Sequence, residues 1–508
     1  MLFFPRGMYK CKSEDLTSRL PHHVKSIKKG IPGSATNRVE WSSGRRRRGD
    51  KAKTLINLSL SLFLLLHSKF LFLSTFPLSL VLGAMCSRFL DSRSKCRTPT
   101  IFASLFFSLF LTSSAACFNG NCQVLEACTA ATDCGPGLYC GNCPALGRTR
   151  PVCTRAQATI VTSLVNGLPF NKYSWIMTHN SFSIVDAPPL AGVQRLTFYN
   201  QEDTVTNQLR NGVRGLMLDM YDFENDIWLC HSFGEQCFNF TAFQPAINTL
   251  REVEAFLTAN PSEIVTIVIE DYVRTPKGLT NLFSNAGLDK YWFPVSDMPK
   301  KGEDWPTVTE MVQRNRRLLV FTSDASKEAE EGIAYQWTYM IENESGDHGV
   351  QGGSCPHRKE SKPLISRSAS LFLQNYFPTY PVEADSCKEH SAPLADMVNT
   401  CYKAAGNVLP SFIAVNFYMR SDGGGVFDIV DKMNGHSLCG CNTVSACQEG
   451  APFGSCKNIA VPKSPVTNTA GSFTGSVQFS RSASPVLSPN CCLFVLFYFL
   501  LISVLWRL

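Results

Sequence analysis

Three short apolar runs in this 508-residue chain end on side chains able to move protons or hold cations. Trp175-Ile-Met-Thr178 leads into His179-Asn180-Ser181, Ile227-Trp-Leu-Cys230 leads into His231-Ser232, and a run between them carries Asp219. Two imidazoles and a carboxylate suit general acid-base catalysis near neutral pH, because histidine ordinarily titrates there. A phosphodiester with a neighbouring hydroxyl would use both rings. One takes the hydroxyl proton as internal attack begins, and the other protonates the leaving oxygen. The charge developing on phosphorus also needs a cation, either an arginine or a metal ion. Asn180, Asp219 and Glu270 are oxygen donors at predicted strand ends, which suits a hard cation such as Ca²⁺ better than zinc. Structural roles compete with each assignment: a loop carbonyl for either histidine, a core salt bridge for Asp219, a solvated strand terminus for Glu270-Asp271.

Residues this far apart meet only if a fold gathers strand ends, as parallel α/β folds do at their carboxyl edge. From about 161 to 430 the chain alternates β-rich runs with amphipathic stretches. Strands are predicted at Tyr173–Thr178, Val213–Met220, Ile227–Cys230, Ile264–Glu270, Arg317–Thr322 and Phe412–Tyr418. Helices are predicted at Thr204–Asn211, Ala242–Ala259, Lys277–Ala286, Val308–Arg314 and Pro393–Ala405. The run Ile264 to Ile269 lacks polar alternation, as a parallel strand buried on both faces does. The length suits one α/β barrel of the TIM-like (β/α) type, and no glycine-rich phosphate loop follows a strand to favour an open doubly wound sheet.

The flanking sequence points to export. Residues 1–84 read as an upstream extension, and 85–116 as a signal peptide with a basic start, the apolar run Ile101 to Leu111 and small residues after it. Sixteen of the 21 cysteines lie between Cys117 and Cys456, an even number that fits disulfides in an oxidising compartment. Seven of them crowd a Cys-rich segment at 117–160, so at least one must pair elsewhere or stay free. Four more, Cys439, Cys441, Cys447 and Cys456, staple an extension at 431–461. Cys230 and Cys237 bracket the loop carrying His231, and a bridge there would restrain the imidazole. Asn239-Phe-Thr241 and Asn343-Glu-Ser345 are glycosylation sequons. A Ser/Pro-rich linker at 462–490, with Ser482 as the attachment candidate, and an apolar tail at 491–508 fit a glycosylphosphatidylinositol (GPI) anchor signal. The expected location is the secretory pathway and then the outer face of the plasma membrane. The formal charge of +7 draws partly on Arg45 to Arg48 in the upstream extension, so no nucleic-acid partner is inferred.

Thr178-His179-Asn180-Ser181, Asn211-Gly-Val-Arg-Gly-Leu-Met-Leu-Asp219, Leu229-Cys-His231 and Ile264 to Glu270, in that order, resemble the X region of phosphatidylinositol-specific phospholipases C. The likeness runs from about Ser174 to Tyr418 and is nearest to plant-type secreted, lipid-anchored proteins with an X domain and no Y domain. It implies a barrel of the PLC-like phosphodiesterase type and hydrolysis of an inositol phospholipid, or related phosphodiester, through a cyclic inositol phosphate. His179 matches the histidine that contacts the phosphate and assists attack, and His231 the one that protonates the leaving group. Asn180, Asp219 and Glu270 match positions that hold Ca²⁺ in the calcium-dependent branch. Two departures stand out. Tyr221 occupies the place of the arginine used by the metal-independent branch, and Met217 that of a further acidic calcium ligand. Asn416 and Tyr418, ending the last strand, are candidates for orienting His179 or covering the inositol ring. Met217 also favours a rival reading, a catalytically weakened barrel binding lipid or glycan at the cell surface. A third reading is a glycerophosphodiesterase on the same barrel, which normally uses more carboxylates around its histidines than can be placed here.

Overall fold

Strand alternation decides which side chains reach the centre of this molecule, a computed structural model that describes residues 117 and 119–458. Two short antiparallel strands, β1 (Leu138–Gly141) and β2 (Val152–Arg155), form a separate ribbon in the Cys-rich segment. The main sheet contains β3 (Trp175–Thr178), β4 (Gly215–Phe223), β5 (Asp226–Cys230), β6 (Ala242–Pro245), β7 (Val265–Tyr272), β8 (Leu318–Thr322), β9 (Ala334–Tyr335), β10 (Met340–Glu342), β11 (Leu371–Tyr376) and β12 (Phe412–Val415). Its order is β10-β11-β12-β3-β4-β7-β8-β9, and every ladder along that path is parallel. Eight strands thus curl into a barrel whose seam, among the described residues, lies between β9 and β10.

Trp175, Met177, Met217, Val268, Leu319, Phe321, Met340, Leu371, Leu373, Phe412 and Ala414 form one buried cluster. Ile176, Leu216, Leu218, Ile267, Ile269, Val320, Ile341, Phe372, Ile413 and Val415 belong to another. Successive residues point to opposite faces of a strand, so the first set fills the barrel and the second faces the helices outside. The outer layer includes the helices Ala246–Ala259, Gly278–Asn285, Ala392–Ala404 and Gly425–Asn434, each of which buries an apolar face. Gly212, at φ +95°, makes the turn into β4 where a Cβ would sit 2.5 Å from Ala158. Only glycine fits there.

All sixteen described cysteines pair. Cys117–Cys122, Cys128–Cys140 and Cys134–Cys153 close the amino-terminal segment, and Cys143 reaches Cys387 on the barrel, which accounts for the odd count. Cys355–Cys401 ties two outer segments, and Cys439–Cys447 and Cys441–Cys456 staple the carboxyl-terminal extension. The signal peptide, Ser482 and the apolar tail lie outside the described residues. Among the described residues no helix is long and apolar enough to cross a membrane.

Four predicted features change, the first being that Ala242–Pro245, predicted as the start of a helix, is strand β6 and the helix begins at Ala246. Strands β9, β10 and β11 had no counterpart in the sequence reading. The Ile227–Cys230 run is not a barrel strand, because β5 runs antiparallel to β4 and pairs with β6. The last strand stops at Val415, short of Tyr418.

Candidate active site

Extending the interior alternation by two residues predicts what lines the barrel mouth: His179 after Met177, Asp219 after Met217, Glu270 after Val268, Glu342 after Met340, Asn375 after Leu373 and Asn416 after Ala414. All six are buried. The His179 backbone N–H donates to Val415 O at 3.0 Å, and the Gln201 side chain donates to the carbonyls of both His179 and Val415. His179 is therefore anchored to the end of β12. Its Nδ1 lies 2.9 Å from Asn416 Oδ1, and Asn200 Nδ2 donates to that same oxygen at 3.0 Å. Phe377, which continues the interior face of β11, stacks on the imidazole at 3.7 Å with planes 4° apart. Burial holds the His179 pKa well below its usual value, and the charge of nearby His231 acts in the same direction.

His231 arrives by a different route. Glu224 and Asn225, both at positive φ, turn β4 back on itself in the two-residue pattern that matches strand twist. Strand β5 then returns along β4, with Leu229 opposite Met220, and delivers His231 immediately past its own end at Cys230. The Cys230–Cys237 disulfide closes the loop behind it, and the His231 N–H donates to Thr241 O at 3.1 Å. His231 Nδ1 lies 3.0 Å from the Phe198 carbonyl, and burial lowers its pKa to about 3.

Asp219 and Glu270 are directly paired across β4 and β7. Burial raises both pKa values, and the Glu270 charge adds to the rise at Asp219. The Tyr272 hydroxyl donates to Glu270, and Tyr221 stacks on Tyr272 at 4.4 Å. The Asn180 amide, at φ +43°, faces both Asp219 carboxylate oxygens at 3.0 and 3.3 Å. With its NH₂ inward it donates to them. With its oxygen inward the three oxygens converge as ligands of a hard cation do. Asn180, Asp219 and Glu270 thus fit a calcium ion by donor type. Among the described residues no third acid or imidazole completes a cluster there, and Met217 stays in the apolar interior.

Sequence reasoning missed Asn200, Phe377 and Arg358. Asn200 and Arg358 sit in aperiodic loops, and Phe377 extends a strand whose polar residues hid it. Arg358 is 1% exposed, with Nη1 3.7 Å from Glu342 Oε1, Nε donating to Glu360 at 3.0 Å, and the guanidinium over Trp337. Its charge opposes the rise in the Glu270 pKa, which places positive potential at the barrel mouth. Two expectations are corrected. Tyr418 does not face the mouth. It packs with Phe427 in the outer layer and bonds Asp203 and Asn211 through its hydroxyl. Asn343 is fully buried, with its amide nitrogen donating to Asn375 O, so the fold leaves no room for a glycan there. Asn239 is exposed.

The profile of the PI-PLC X 1 family matches residues 170–421. A PI-PLC X domain-containing protein of Arabidopsis thaliana is 70% identical over 402 residues, 78% of this chain and 94% of the relative. PI-PLC X domain-containing protein 1 of Arthroderma benhamiae is 28% identical over 175 residues, 33% of this chain and 53% of that protein. Among solved structures, the phosphatidylinositol-specific phospholipase C of Listeria monocytogenes is 16% identical and covers 51% of this chain and 92% of its own, at a TM-score of 0.33. With the family profile spanning every strand of the barrel and one relative aligned along most of the chain, this protein belongs to the PI-PLC X domain family.

Proposed function

We propose that this chain is a phosphoric diester hydrolase of the phospholipase C type, cleaving an inositol phospholipid or related phosphodiester. The observation that carries this reading is the meeting of two buried imidazoles, each held through Nδ1, beside the Asp219–Glu270 pair at one barrel mouth. His179 takes the proton of the hydroxyl next to the phosphoester. That oxygen attacks phosphorus, the bond to the leaving oxygen breaks, and His231 protonates it, leaving a cyclic phosphate. An anionic phosphate entering the mouth raises the proton affinity of both rings, which burial alone depresses. Arg358 contributes fixed positive charge. Calcium held by Asn180, Asp219 and Glu270 would add Lewis-acid stabilisation of the phosphoryl oxygens.

Exposed Leu196, Phe198, Phe233 and Tyr380 support a lipid substrate: Leu196 and Phe198 share a loop with the carbonyl that holds His231, Phe233 follows His231 by two residues, and Tyr380 packs on Phe198. The export signals favour a site outside the cell, held at the plasma membrane by a GPI anchor. Met217 favours the second reading, a barrel that binds phospholipid or glycan with little turnover. Secreted protein incubated with phosphatidylinositol vesicles, with calcium and with chelator, separates the two. Cyclic inositol phosphate that disappears in His179→Ala supports the enzyme, and vesicle binding without product supports the second reading.

A further inference from the structure

We propose that the Tyr221 hydroxyl is a substrate-binding group that donates a hydrogen bond to a non-bridging oxygen of a phosphodiester in the barrel mouth. Its effect on turnover rests on the phosphodiesterase reading, whereas the contact itself does not.

Tyr221 follows Asp219 by two residues on β4, so its side chain leaves the strand on the same interior face. It is directly paired with Tyr272, as Asp219 is with Glu270. The two rings start from paired positions and stack at 4.4 Å with planes 14° apart, so they run side by side. The Tyr272 hydroxyl ends on Glu270, and that of Tyr221 therefore ends next to the carboxylate pair. Tyr221 also packs in one cluster with Cys230, the residue before His231. The ring thus stands between the two carboxylates and the strand end that carries an imidazole.

Its neighbours are committed. The Tyr272 hydroxyl donates to Glu270, and His231 Nδ1 faces the Phe198 carbonyl. The Tyr221 hydroxyl is buried and has no hydrogen-bond partner among the described residues. Buried hydroxyls are normally bonded, because taking one from water without a replacement weakens the fold. Phenylalanine at this position would keep the stack without that cost. The hydroxyl is explained by an acceptor that is not part of the chain. Asp219 and Glu270 offer acceptors, which suit hydroxyls or a cation, whereas the charged oxygens on phosphorus take donors. His179, Asp219 and Glu270 are 2%, 2% and 6% exposed, so the 1% exposure of Tyr221 does not set it apart from the groups that would meet a substrate.

The test uses the full secreted chain and dimethyl phosphate, a diester with neither inositol nor lipid. Melting is followed with calcium present at rising diester concentration, against sodium chloride of equal ionic strength. Wild type should melt progressively higher, and Tyr221→Phe should need about tenfold more diester for the same shift. Without ligand, Tyr221→Phe should melt no lower than wild type, since it removes a hydroxyl that bonds nothing. Tyr272→Phe, which strips a bonded hydroxyl from the same stack, should melt lower. On phosphatidylinositol vesicles, kcat/KM of Tyr221→Phe should fall about 10- to 100-fold. Three results overturn the proposal. The first is a Tyr221→Phe protein that melts lower or is not secreted, which gives the hydroxyl to the fold. The second is an equal response of wild type and variant to the diester, including no response in either. The third is loss of a response to myo-inositol while that to the diester is kept, which gives the hydroxyl to the sugar. Wild type that responds to the diester through Tyr221 yet releases no cyclic inositol phosphate removes the phosphodiesterase reading and supports the contact.

Discussion

Phe198 and Asn200 sit two residues apart on one loop, and each contacts the Nδ1 of a different histidine. A single short segment therefore touches both rings at their Nδ1 atoms. A pair of imidazoles suits a phosphodiester, whose attacking and leaving oxygens sit on opposite sides of phosphorus. That arrangement also gives the two rings distinguishable roles.

Replacing either histidine should lower turnover of phosphatidylinositol by about 10²- to 10⁴-fold, the usual worth of a positioned acid or base. The two losses should respond differently to the leaving group. His231→Ala should recover much of its activity on a phosphodiester with an acidic phenol leaving group, which departs without a proton. His179→Ala should not, because the attacking hydroxyl still has to be deprotonated. Equal recovery in the two variants would contradict the assigned roles.

The first of these roles was legible in sequence because His179, Asp219 and Glu270 each end an apolar run. Strands β4, β7 and β8 were readable for the same reason: Val265 to Ile269 is β-rich and apolar but for Thr266, with no polar alternation. Strands β10 and β11 were not, because Glu342, Gln374 and Asn375 are polar residues buried in or beside the barrel and read as loop. His231 was found for a partly wrong reason. Ile227 to Cys230 has a barrel strand's composition, and only the Glu224-Asn225 turn shows that it doubles back. Asn200 and Arg358 lie in segments without periodicity, where position follows from tertiary contacts alone.

Met217 lies two residues before Asp219 on the interior face of β4. Met217→Glu should place a third carboxylate beside Asp219 and Glu270. The variant should bind Ca²⁺ at least tenfold more tightly than wild type by isothermal titration calorimetry. Without calcium it should melt lower, because another buried carboxylate joins two whose ionisation burial already disfavours. Adding calcium at 100 times its Kd would restore about 2.7 kcal/mol. Unchanged calcium affinity would show that the Asn180–Asp219–Glu270 group is no metal site.

Arg358 lies beside Glu342, which also accepts hydrogen bonds from Gln336, Trp337 and Asn375. Arg358→Met should destabilise the protein by about 3–5 kcal/mol, since it strands a buried carboxylate. Pairing it with Glu342→Gln should return most of that stability. The double variant should remain catalytically poor on phosphatidylinositol if the guanidinium serves the phosphate. Recovery of turnover together with melting temperature would assign Arg358 to structure alone.

His390 is fully buried away from the barrel mouth, with Nδ1 2.9 Å from the Arg420 carbonyl, and burial lowers its pKa from 6.5 to about 4. Between those two values the unfolded chain binds a proton that the folded chain does not. Stability from this residue is therefore intact above pH 6.5 and declines as pH falls toward 4, by roughly 3 kcal/mol across the window. Asp203, raised to about 6 by burial, titrates in the opposite sense over an overlapping range, so the effect must be read as variant against wild type. His390→Gln can still donate to the Arg420 carbonyl but cannot gain charge. Its melting temperature relative to wild type should be lower or equal at pH 7.5 and should rise steadily as the pH is brought to 4.5. Parallel melting curves for the two proteins across that range would rule out a buried neutral His390 as a source of acid sensitivity.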